Sequence, residues 1–89
     1  MKPLTCKELA PRIAAHLKRF EADPKINRGG EGHEARPRFW QAGAGSSGRY
    51  VFVRYIAYQG NTFLSRDDAA RYLAWLDAGN VGRHYEALR

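Results

Sequence analysis

Cys6, Leu9, Ile13, Leu17 and Phe20 recur at three- and four-residue intervals. They fall within about 80° of one another on a wheel turning ~100° per residue, which predicts one apolar helix face. Thr5 and Glu8 are spaced as a capping box, and Leu4 and Leu9 as the hydrophobic staple that accompanies one. Pro11 lies beyond the first turn, where it forfeits a backbone bond and crowds the Lys7 carbonyl, so a kink or a restart is expected there. Asp23-Pro24 ends the helix, because a residue before proline disfavours the α region.

Periodicity lapses over 23–37, where Pro24, Gly29, Gly30, Gly32 and Pro37 leave little room for a regular element. This predicts a loop, long for a small domain and therefore either functional or mobile. The period then changes to two. Arg38 to Ala42 reads as a short strand, 43–48 as a glycine-serine connector, and Arg49 to Tyr58 as the clearest strand, aromatic and β-branched along its length. Gln59-Gly60-Asn61 supplies a turn and Thr62-Phe63-Leu64 a third strand. Ser65 caps a second helix whose inward stripe is Ala69, Tyr72, Leu73 and Leu76, with Asp67 and Asp68 in its first turn and Gly79 at the expected left-handed position beyond its end. Residues 81–89 are either one more helical turn or a loose tail. The fold class is therefore α+β, in the order α-β-β-β-α. It is a single 89-residue domain in which a three-stranded antiparallel sheet carries both helices on one face.

The other face of that sheet meets water or a partner. Alternation in the second strand sets Val51, Val53, Tyr55 and Ala57 against Tyr50, Phe52, Arg54, Ile56 and Tyr58. The smaller, branched set suits packing beneath helices, which leaves the second set outward, with Arg38 and Trp40 sharing one parity on the first strand. The opposite assignment, in which Tyr50, Phe52 and Ile56 are buried and Tyr55 is exposed, is equally physical, since aromatic stripes commonly form cores.

Charge adds to this pattern. The chain carries a formal net charge of +6, and 11 of its 15 basic residues are arginine. Arg36, Arg38, Arg49, Arg54 and Arg66 occupy a stretch without any Asp or Glu, whereas both helices are close to balanced. Arginine favours planar, bidentate or stacked contacts. An open sheet face bearing aromatics and arginines is one way proteins stack bases and grip phosphates. The simpler account is a solvated basic face kept for solubility.

Thr62-Phe63-Leu64-Ser65-Arg66-Asp67-Asp68-Ala69-Ala70-Arg71-Tyr72 resembles the strand-to-helix junction of the plant ethylene-response type of DNA-binding domain and its phage-integrase relatives. In that family a three-stranded sheet lies in the major groove with a helix behind it, so the resemblance implies a sheet-borne DNA interface. The element order is also similar to that of double-stranded-RNA-binding domains. The lysine-rich start of their last helix is replaced here by Arg66-Asp67-Asp68, whose carboxylates would repel phosphate.

Catalytic chemistry is not indicated. Cys6 lies on the apolar helix face, as a buried thiol would; His16, His33 and His84 are far apart and lack metal-ligand spacing; Arg28-Gly29-Gly30-Glu31-Gly32 lacks the Lys-Ser/Thr of a phosphate loop. The expectation is a non-enzyme with no cofactor and no metal. Its leading function is nucleic-acid binding through Arg36, Arg38, Trp40, Arg49, Tyr50, Phe52, Arg54 and Tyr58. The alternative is a protein-interaction or inhibitor module, of the kind phages and mobile elements encode, that docks on an acidic surface of a larger host complex, because Trp, Tyr and Arg also dominate protein interfaces. Trp75, off the second helix's inward stripe, is either an exposed anchor of that kind or packed against the C-terminal tail. An unpaired sheet edge also offers a route to a homodimer. No apolar run has the length of a membrane span, Met1-Lys2-Pro3-Leu4 opens no signal peptide, and one cysteine fits a reducing, cytoplasmic setting with no membrane partner.

Overall fold

The computed structural model describes residues 3–27, 38–57 and 59–89. Thr5 opens helix α1 (Cys6–Ala22): its hydroxyl accepts from the Glu8 amide at 3.2 Å, and Glu8 accepts from the Thr5 amide at 3.0 Å. Hydrogen bonds to the carboxyl from the Thr5 backbone amide first, and from its side chain second, hold Glu8 below its usual range. The restart expected at Pro11 does not occur, and α1 is one helix throughout. Leu9 on one side of the proline and Ile13 and Leu17 on the other are all buried against the same core, which keeps the two halves in line. Each such aliphatic side chain contributes about 1.5–3 kcal/mol on burial, enough together to offset the lost bond.

The meander follows as β1 (Arg38–Ala44), β2 (Tyr50–Ile56) and β3 (Thr62–Ser65), antiparallel in the order β1-β2-β3. β1 runs two residues further than the sequence implies, through Gly43 and Ala44. The connector tightens into a turn closed by Gly48 N–H to the Gly45 carbonyl at 3.0 Å, with Gly48 at φ 70°. Helix α2 (Arg66–Asp77) starts where β3 ends, since the Ser65 hydroxyl accepts from the Asp68 amide at 3.2 Å. Gly79 takes φ 97° just beyond it.

Both helices cover one sheet face. Cys6, Leu9, Ile13, Leu17 and Phe20 of α1 and Ala69, Tyr72, Leu73 and Leu76 of α2 enclose Trp40, Val51, Val53, Tyr55 and Leu64. Across the helix pair, the Arg19 guanidinium donates to His16 Nδ1 at 2.6 Å, so the other ring nitrogen carries the proton and donates to Asp77 at 2.7 Å.

The C-terminal residues are not a loose tail. They form a short helix α3 (His84–Leu88), fixed by a buried polar cluster. Tyr72 donates its proton to the Gly82 carbonyl at 2.7 Å and accepts from the Tyr55 hydroxyl at 3.3 Å, while the His84 amide donates to Tyr55 at 2.9 Å. The Arg83 guanidinium lies over the Trp40 and Tyr55 rings, 5.6 and 5.3 Å from their centroids. Trp75 rests on this segment at Gly82 and beside Tyr72, so it packs against the C-terminal tail and is no free anchor.

Candidate functional site

β1 and β2 are not in simple register. Arg38 pairs with Ile56 and Gln41 with Arg54, so Phe39 and Trp40 together oppose Tyr55. This bulge inserts one residue and resets the alternation. Arg38 and Gln41 stay on the face away from the helices, and Trp40 turns inward. It is 6% exposed and meets Phe20 and Tyr55 edge-on at centroid distances of 5.7 and 5.1 Å. The expectation that Trp40 joins Arg38 on the open face is thus corrected, because parity does not survive a bulge.

The open face has a definite layout. One row across the sheet is Gly43, Phe52 and Phe63; beside it Tyr50 pairs with Ser65, and on the other side Gln41 pairs with Arg54 and Arg38 with Ile56. Phe52 is half-buried, with its ring laid over Gly43, where any Cβ would overlap it. Tyr50 and Phe63 project instead, 51% and 63% exposed, with ring centroids 6.4 Å apart and planes at 75°. Arg54 donates to the Gln41 side-chain oxygen at 2.9 Å and lies 6.0 Å from the centroid of Phe39, which is 36% exposed. Tyr50, Phe52, Arg54 and Arg38 are therefore brought together, and the alternation that puts Val51, Val53 and Tyr55 under the helices holds along β2.

Arg38, Arg49 and Arg54 make no ion pair among the described residues, and Nε of both Arg38 and Arg54 is buried without a hydrogen-bond partner there. Arg49 is exposed at the start of β2, next to Tyr50. Arg66 differs: it donates to the Leu4 carbonyl at 2.9 Å and to Asp67 at 2.6 Å, tying α2 to the start of α1. Arg36 and Tyr58, two of the expected site residues, and most of the expected 23–37 loop lie outside the described residues. Within that loop, Asn27 donates to the Glu21 carbonyl at 2.8 Å.

Sequence reasoning did not nominate Phe39, Gln41 or Phe63 for this face. A signal existed for Phe63: with Leu64 inward, its neighbour must point outward. No local signal marks Phe39 and Gln41, since the bulge that orients them is a pairing event.

Other groups are less accessible. Cys6 is a buried free thiol. Burial raises Tyr55 and Tyr72 above the usual phenol range and lowers His84, with the Arg83 charge pushing His84 the same way. Among the described residues no three His, Cys, Asp or Glu side chains cluster as metal ligands, and no helix is long and apolar enough to cross a membrane. Along the edge of β1 that pairs with no strand among the described residues runs an open groove of about 540 Å³ between Ala10, Pro11 and Ala14 of α1 and Ala42, Gly43 and Ala44.

No protein-family model, no curated protein and no solved structure matches the chain.

Proposed function

We propose that this protein binds nucleic acid on the open face of its sheet. The observation that carries the reading is the coincidence, on one face, of exposed Phe39, Tyr50 and Phe63 with arginines that have no carboxylate partner among the described residues. An isolated protein leaves such charge unbalanced and such rings in water; phosphates neutralise the first and bases cover the second. Titration of a labelled oligonucleotide, followed by fluorescence anisotropy at several salt concentrations, tests it. Affinity should fall linearly in a log-log plot. Arg49→Ala with Arg54→Ala should weaken binding at least tenfold and reduce the slope by about 0.7–0.9 for each phosphate no longer neutralised. No binding at about 50 mM salt, where counterion release favours it, overturns the reading.

The β1 edge, unpaired among the described residues, and its groove favour a second reading, in which an acidic segment of another protein pairs with β1. A purified complex that survives nuclease and is lost on placing proline at Ala42 supports that reading.

A further inference from the structure

Resting on the nucleic-acid reading above, we infer that the occupant of the open face is an unpaired strand, with its bases stacked on Tyr50 and Phe63 and its phosphates at Arg38 and Arg54. A duplex shows the protein only base edges and backbone, so reading it takes hydrogen-bonding heads that reach into a groove. On this face the Gln41 side-chain oxygen accepts from Arg54 and the Ser65 hydroxyl caps α2, so neither is free to read base edges. What projects furthest is ring surface, and a ring face pairs with a base face, which a duplex hides in its own stack.

The aromatics of these strands are not equivalent. Trp40 is in the core and Phe52 is committed to covering Gly43. Tyr50 and Phe63 are the most exposed, and at 75° they are not stacked on each other, so ring surface stays free for bases. Arg54 stands on β2 two pairing rows from Tyr50, roughly 13–14 Å along the strand at 3.4 Å per residue. Arg38 lies one row further, opposite Ile56. Neither guanidinium pairs with a carboxylate among the described residues. The face therefore has a stacking end and a phosphate end, a polarity along β2 that suits a chain alternating base and phosphate.

The test compares a DNA strand and an RNA strand of about 12 nucleotides with the DNA duplex of the same sequence, by anisotropy at one salt concentration. At least one strand should bind tenfold or more tighter than the duplex, and the ratio between the strands assigns the sugar. Tyr50→Ala and Phe63→Ala should each weaken strand binding about tenfold with the salt slope unchanged, whereas Phe63→Trp restores it. Both positions are exposed, so circular dichroism of the variants should match the parent. A duplex bound as tightly as either strand, or aromatic variants that bind the strand normally, overturns the inference and leaves the nucleic-acid reading standing. No binding to any of the three probes overturns both.

Discussion

Gly43 shows how one residue shapes the candidate surface. The Phe52 ring occupies the volume where its Cβ would sit, so the glycine takes one of four open-face aromatics out of circulation and flattens the sheet beside Phe63. Gly43→Ala should drive that ring toward solvent. The stability loss should be about 1 kcal/mol, the low end for overpacking, because the clashing atoms are the far end of a side chain that can rotate. Denaturant unfolding reads the loss, and the Phe52 ring resonances report the displacement. At this scale the sequence was legible in part. The alternation of 50–56 separated Val51, Val53 and Tyr55 from Tyr50, Phe52 and Arg54 but left open which set faces the core; the structure buries the first set. Strand parity misplaced Trp40, since no residue near it announces a bulge.

Among the elements, α1 carries an internal cost. Pro11 leaves the Lys7 carbonyl without its helical donor, yet the helix persists because both flanking turns are buried on one sheet. Pro11→Ala should restore that bond on an exposed position and raise stability by about 2 kcal/mol, less the entropy that proline removes from the unfolded chain. Unchanged or lower stability in urea would show that the helix already accommodates the ring without loss. The capping signals were local and therefore legible: Thr5-Glu8, Ser65 and Gly79 all act as their chemistry dictates. The α3 helix was not. Five residues are too short to read as a helix alone, and α3 persists because Tyr55 and Tyr72, from other elements, satisfy its backbone.

For the whole molecule, that same cluster links stability to pH. Burial and the Arg83 charge depress His84 below its ordinary 6.5. The unfolded chain therefore takes up this proton at a higher pH than the folded one and binds more protons in the interval between them. The His84 contribution is present above 6.5 and is lost as pH falls through the folded value. Thermal unfolding should show the parent losing stability below that point relative to His84→Asn, whose side chain does not titrate. The groups facing the imidazole are Tyr55, Tyr72, Arg83 and Tyr85, and among the described residues no carboxylate is hydrogen-bonded to the ring to favour its protonated form. Equal pH profiles for the two proteins would remove His84 as the cause.

What the sequence determined by itself was whatever depends on neighbours in the chain: the apolar stripes of two helices, their caps, three strands with their turns, and an arginine-rich stretch without acidic residues. These follow from periods of 3.6 and 2 and from hydrogen bonds spanning three or four residues. The tertiary structure alone decided which rings remain available. Trp40 entered the core because two β1 residues oppose one on β2, Phe52 settled because Gly43 lies across from it, and the C-terminal residues folded because Tyr72 donates to the Gly82 carbonyl and Tyr55 accepts from the His84 amide. Each depends on pairing between strands or docking between elements. The free energy of such contacts depends on partners far apart in sequence, which no local pattern records.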